Sequence, residues 1–106
     1  LSEFTRLKMG YQIKNISGAP VVEVVFKLKA RPTDQVFVAG DFNRWNPKSL
    51  PLSWHKKGYF TCSLLVPSKN KFEYRFVINE EFVLDPTCEN RVWNTFAQAE
   101  NSVLTT

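Results

Sequence analysis

The stretch Val21-Val22-Glu23-Val24-Val25-Phe26-Lys27-Leu28-Lys29-Ala30 decides the fold class, because its side chains alternate with a period of two. Val22, Val24, Phe26, Leu28 and Ala30 fall on one face, and Glu23, Val25, Lys27 and Lys29 on the other, which is the pattern of a half-buried strand. Lys71 to Ile78 repeats it, with Phe72, Tyr74, Phe76 and Ile78 opposed to Lys71, Glu73, Arg75 and Val77. Tyr59 to Val66 does so again, with Phe60, Cys62, Leu64 and Val66 in register.

Turn residues separate these runs. Arg31-Pro32-Thr33-Asp34 leads into a strand from Gln35 to Ala39 that stops at Gly40, and a polar loop through Pro47 and Pro51 precedes a short strand over Leu52 to His55. Lys56-Lys57-Gly58 and Pro67-Ser68-Lys69-Asn70 make the next turns, and Asn79-Glu80 closes a tight hairpin into Glu81 to Leu84. Asp85 to Ala99 reads as the longest loop, and a strand over Ser102 to Thr105 closes the chain. Six to eight short strands with turn signals about every ten residues and no long helix predict an all-β fold, an antiparallel β-sandwich. Residues 1–20 read as an N-terminal lead-in segment or extra edge element before a sandwich domain over 21–106. Phe4, Leu7 and Tyr11 fit one side of a short helix there, and an added edge strand fits as well.

Composition agrees with a single domain: the 106 residues are 43% apolar, 14% aromatic and 23% charged, enough apolar material for a core and too much for a disordered chain. Val21 to Leu28 is broken by Glu23 and Lys27, far short of the roughly 20 apolar residues that cross a bilayer. No membrane partner is expected. The net charge of +4 comes from 14 basic residues spread along the chain. The densest group, Lys27, Lys29 and Arg31, reads as a solvated strand face, so nucleic acid is not an expected partner. Cys62 shares the inward register of its strand and reads as a small buried residue, while Cys88 falls in the long loop. Neither belongs to a Cys-x-x-Cys pair or a His cluster, so no metal or other cofactor is expected, and their redox state is open. No export signal is visible, which points to the cytoplasm. The Asn15-Ile16-Ser17 sequon is short enough to arise by chance.

Catalysis is poorly served. The single His55 sits beside Lys56 and Lys57 at a turn, with no Ser or Cys in a recognisable elbow, and reads as a surface residue. Asp41, Asp85 and Glu89 are carboxylates that a fold could pair, but a sandwich of this size has little room for a site that excludes water. What stands out instead is aromatic residues outside the strand cores. Trp45 lies in the polar loop Asp41-Phe42-Asn43-Arg44-Trp45-Asn46-Pro47, Phe82 follows a hairpin turn, and Trp93 lies in the long loop. A flat ring can bury the C–H face of a sugar while neighbouring amides and cations hydrogen-bond its hydroxyls. The bland alternative is that each Trp plugs an end of the sandwich.

Val36-Phe37-Val38-Ala39-Gly40-Asp41-Phe42-Asn43-Arg44-Trp45 resembles the opening of family 48 carbohydrate-binding modules, which include the glycogen-binding domains of AMP-activated protein kinase β subunits and the isoamylase N-terminal-like domains. Phe72-Glu73-Tyr74-Arg75-Phe76-Val77, Glu80-Glu81-Phe82-Val83-Leu84-Asp85-Pro86 and Glu100-Asn101-Ser102-Val103-Leu104 resemble later segments of the family in order, so the likeness spans about Val22 to Thr105. It implies an immunoglobulin-like early-set sandwich that binds α-1,4-linked glucans such as glycogen, starch or maltodextrins without catalysis. Residue by residue, Trp45 stands where the family has its first stacking Trp, and Arg75 replaces the usual Lys. Phe82 replaces the second stacking Trp, and Asn101 matches the Asn that contacts glucan. Alternation independently turns Arg75 outward, because Tyr74 and Phe76 turn inward.

Arg for Lys changes the shape and reach of the cation, and Phe for Trp gives up contact area, so weaker or shifted binding is expected. Trp93 is a further candidate platform for sugar. The leading function is therefore non-catalytic α-glucan binding that holds an attached or associated kinase or glucan-metabolising enzyme on the polysaccharide. The alternative is a sandwich that has lost sugar binding and serves as a protein-interaction or regulatory module in such a complex. A glucan binder needs Trp45 and Phe82 close together, with Arg75 between them.

Overall fold

The alternating runs become strands because each can turn one face to a shared core and the other to solvent. A computed structural model describes residues 9–106. The strands are β1 (Gly10–Asn15), β2 (Val21–Leu28), β3 (Val36–Gly40), β4 (Ser53–His55), β5 (Tyr59–Pro67), β6 (Lys71–Ile78), β7 (Glu81–Val83), β8 (Arg91–Asn94) and β9 (Ala99–Thr105). A 3-10 turn at Asp41–Asn43 follows β3, and no α-helix occurs among the described residues. None of the helices there is long and apolar enough to cross a membrane.

All pairings are antiparallel and form two sheets, β1-β2-β5-β4 and β3-β6-β9-β8, with β7 also paired to β6. Lys71 to Tyr74 pair with β9 and Phe76 to Ile78 with β7, so β7 and β9 follow one another along β6 opposite β3. Between β3 and β4 the chain laces the sheets together: Val38 N–H donates to the Leu50 carbonyl and Leu52 N–H to that of Val36. This is the predicted antiparallel sandwich.

The inward faces meet as the alternation requires. Val22, Val24, Phe26 and Leu28 of β2 pack against Val36, Val38, Tyr74, Phe76 and Leu104 of the second sheet. Phe26 lies at the centre, with ring centroids 5.1 Å from Tyr74 and 6.0 Å from Phe76. Each such side chain contributes about 1.5–3 kcal/mol of burial free energy. Tyr74 also carries a polar group inward, donating from its hydroxyl to Asp85 Oδ2 at 2.6 Å. Asp85 Oδ1 accepts from the Thr87 N–H and hydroxyl, so the carboxylate pins the chain after β7 to β6. Burial and this hydrogen bond hold the Tyr74 phenol well above its ordinary pKa.

Some expectations shift. The supposed loop over Asp85 to Ala99 contains β8, and β9 begins at Ala99 rather than Ser102. β8 is an exposed edge strand, Arg91-Val92-Trp93-Asn94, so it lacks the buried alternation that marks other strands. Phe4 and Leu7 lie outside the described residues; Tyr11 lies in β1, opposite Phe26 of β2, and not on a helix. His55 sits in β4, half-buried and stacked on Tyr59 at 4.7 Å rather than at a free surface. Val77 faces outward as predicted yet is buried, because Phe37 of β3 and Phe82 of β7 flank it in register. Cys62 and Cys88 are both free, and no cluster of metal-ligating side chains occurs among the described residues.

Candidate functional site

The site grows from the end of β3. At Gly40 a Cβ would lie 2.5 Å from the Glu73 carbonyl oxygen and 2.8 Å from the Phe42 ring, so only glycine lets β3 pass this close to β6. The chain then makes its 3-10 turn and reverses through Arg44 and Trp45, both left-handed, with φ of 56° and 58°. A positive φ is costly for a bulky residue, and such strain gathers where a side chain must be aimed. Three bonds hold it here. Trp45 N–H donates to the Gly40 carbonyl at 2.9 Å, Trp45 Nε1–H donates to Asp41 Oδ1 at 2.9 Å, and Asp41 Oδ2 accepts from the Glu73 N–H at 2.8 Å. Asn43 binds the loop from within, accepting from Gly40 N–H and donating to the Asn46 carbonyl and Ser49 hydroxyl.

The other members come from the outward face of the second sheet. Arg75 of β6 and Phe82 of β7 share that face, since Phe82 pairs with Val77, two residues along from Arg75. The Arg75 guanidinium carbon lies 4.9 Å from the Phe82 ring centroid and 5.7 Å from that of Trp45. The two rings are 6.4 Å apart and inclined at 53°. Trp45, Phe82 and Arg75 thus form one patch, with the cation against both rings. Phe82 is 44% exposed and Trp45 half-buried.

Beside this patch lies a groove of about 360 Å³ lined by Trp45, Arg75, Asn94, Phe96, Ala97 and Asn101. Asn101 is only 1% exposed, yet its Oδ1 has no partner among the described residues. Its Nδ2 donates to Glu73 Oε1 at 2.9 Å, which fixes the amide, and Asn94 Nδ2 approaches the same oxygen at 3.5 Å. Arg75 Nε is likewise buried and unpartnered among the described residues. Leaving a buried donor or acceptor unmatched costs about 1–3 kcal/mol each; Ser102 Oγ, on the inward face, is a third such atom among the described residues, and the two on groove-lining residues stand where a bound polar group would match them. An apolar platform with convergent polar atoms matches what a sugar presents.

The structure therefore brings Trp45, Arg75, Phe82 and Asn101 to one face. It does not bring Trp93 there. On β8, Trp93 pairs with Glu100 of β9 while Val92 pairs with Asn101, so alternation turns Trp93 to the opposite face of its strand, where it is 59% exposed. The sequence alone does not reveal every contributor. Phe96, fully exposed in the turn between β8 and β9, borders the groove. Its ring in a polar turn, Asn94-Thr95-Phe96-Ala97-Gln98, was the available signal. Asp41 and Glu73 orient Trp45 and Asn101, a role visible only in three dimensions. Asp85, weighed as a catalytic carboxylate, is buried and committed to Tyr74 and Thr87. A larger hollow of about 730 Å³ between β1 and the chain at Asp85 to Asn90 holds none of the aromatic patch.

Residues 22–104 match the family model described as the glycogen recognition site of AMP-activated protein kinase. The chain belongs to this family. The matched span contains Trp45, Arg75, Phe82 and Asn101, and the family is one of carbohydrate recognition rather than catalysis. No curated protein matches the sequence. Among solved structures the chain is similar to the enterobactin esterase of Shigella flexneri determined in the presence of 2,3-dihydroxy-N-benzoyl-glycine, at 11% identity and a TM-score of 0.74 over 100% of this chain. It is also similar to an enterochelin esterase structure from the same organism, at 10% identity and a TM-score of 0.73 over 99% of this chain. It spans 35% of the length of each of these esterases, and the likeness is one of fold, the β-sandwich. Within the glycogen recognition family, this member carries Phe82 and Arg75 on its aromatic patch.

Proposed function

We propose that the groove and its aromatic patch bind α-1,4-linked glucan, as in glycogen, starch or maltodextrin. The domain over 21–106 would thereby hold an attached or associated kinase or glucan-metabolising enzyme on the polysaccharide. The observation that carries this reading is the pairing of an exposed ring, Phe82, and a half-buried one, Trp45, with two buried, unmatched polar atoms, Asn101 Oδ1 and Arg75 Nε. In this reading glucosyl C–H faces cover the rings, a hydroxyl donates to Asn101 Oδ1, and Arg75 Nε donates to a second sugar oxygen. The ligand thereby satisfies groups that the fold leaves unsatisfied, so the polar contacts add affinity and not only specificity. Fully exposed Phe96 closes one side of the groove over the sugar. The chain itself does no chemistry on the glucan in this reading.

The test is a calorimetric titration with maltoheptaose of the native chain and of Trp45→Ala and Asn101→Ala. Saturable binding by the native chain, weakened about tenfold or more in both variants, is the expected result. Binding that survives Trp45→Ala undiminished would place the sugar elsewhere. A native chain that ignores maltoheptaose at millimolar concentration would instead support a protein-contact role for the same face.

A further inference from the structure

Beyond Phe82 the same outward face carries a second groove, of about 450 Å³. Its floor is apolar: Phe37, Val77 and Phe82 stand side by side across β3, β6 and β7, and Pro47 closes one wall. Its rim carries Gln35, Lys48 and Glu80, an amide, an ammonium and a carboxylate. Among the described residues none of these three side chains has a hydrogen-bond partner, while the backbone around them is fixed. Gln35 N–H donates to Asn79 Oδ1, Asn79 N–H to the Gln35 carbonyl, and Lys48 N–H to Asn46 Oδ1. A rigid apolar floor with uncommitted donors and acceptors at its rim is the lining a sugar ring needs.

The two grooves are neighbours, separated by one side chain. Phe82 lines the second groove and also meets Arg75 and Trp45, which line the first. We propose that the second groove is an additional glucosyl subsite, entered only by a chain long enough to cross Phe82 from the first groove. It would make the domain discriminate by glucan length. Its occupant is the continuing α-glucan, with Phe37 and Phe82 under the sugar ring and Gln35, Lys48 and Glu80 bonding its hydroxyls. This inference rests on the glucan reading of the first groove.

The experiment is a pair of titrations, with maltotriose and with maltoheptaose, of the native chain and of the double variant Gln35→Ala/Lys48→Ala. Both substitutions leave the backbone bonds intact and touch neither Trp45 nor Arg75. Native affinity is expected to rise with length, and the double variant to lose about threefold to tenfold against maltoheptaose with maltotriose unchanged, the scale of one or two hydrogen bonds. Amide shifts at Gln35, Val77 and Phe82 should respond to the longer sugar more than to the shorter. Equal native affinity for the two sugars overturns the subsite, as does a double variant that keeps the native length preference or that weakens both sugars alike. Failure of the native chain to bind either sugar overturns the glucan reading itself, a separate outcome from loss of length preference alone.

Discussion

Asp41→Asn separates aiming of the site from stacking on it. Asp41 accepts from Trp45 Nε1 at 2.9 Å and from the Glu73 N–H at 2.8 Å, one through each carboxylate oxygen. Asparagine keeps one acceptor and presents an NH₂ group where the other stood, so one bond is replaced by two donors facing each other. Asp41 is exposed, and water can replace the lost partner, so the fold should lose only about 1 kcal/mol. The Glu73 N–H is fixed in β6 and keeps the remaining oxygen, so the NH₂ group faces the indole, and Trp45 loses its tether and must be ordered by the sugar. Immobilising such a side chain on binding costs about 0.5–1.5 kcal/mol, which predicts affinity for maltoheptaose weakened about twofold to tenfold. Calorimetry on the native chain, Asp41→Asn, Trp45→Phe and the double variant reads the coupling. Phenylalanine has no indole N–H to tether, so Asp41→Asn should cost nothing further in that background. An equal loss in both backgrounds would refute the tether, as would native affinity in Asp41→Asn.

Phe82→Trp restores a larger ring and should tighten maltoheptaose binding about threefold to tenfold by the same titration; unchanged or weaker affinity would show that the Phe82 ring does not carry sugar. Tyr74→Phe removes the donor to buried Asp85 and should cost about 1.5–3 kcal/mol in urea unfolding, with little change in sugar affinity once folded. Burial pushes the Cys62 thiol up to about 12, so the native chain should resist iodoacetamide at pH 8 and react at Cys62 only on unfolding, as peptide mass mapping would show. The unfolded chain loses that proton near pH 8.5 while the folded chain retains it. The contribution of Cys62 to stability is therefore full below about pH 8.5 and falls as pH rises from there to about 12, visible as a declining unfolding midpoint.

The sandwich was legible wherever one strand face is buried and the other wet, because burial then writes a period of two into the sequence. β2 and β6 are the clearest cases, and β5 follows them. β8 was illegible for the converse reason: at the sheet edge Arg91, Val92 and Trp93 are all exposed, so no alternation was selected. Val77 misled in a subtler way. Its outward register was right, but cross-strand neighbours Phe37 and Phe82 bury it, and such pairs come from segments far apart in the chain. Trp45 stood out as an apolar ring in a polar loop, and Phe82 as one just past a hairpin turn, beside Glu80 and Glu81. Their meeting over Arg75 depends on the distance between β3 and β7 across β6, which only the register supplies. Asp41 looked like one more loop acid until the left-handed turn at Arg44 and Trp45 brought the indole back onto it.

The most direct test of the central claim is an amide chemical-shift titration of the native chain with maltoheptaose. Saturable shifts centred on Trp45, Arg75, Phe82 and Asn101, with the indole N–H of Trp45 among them, are predicted. No shifts at millimolar sugar, or shifts confined to the hollow beside β1, would contradict it.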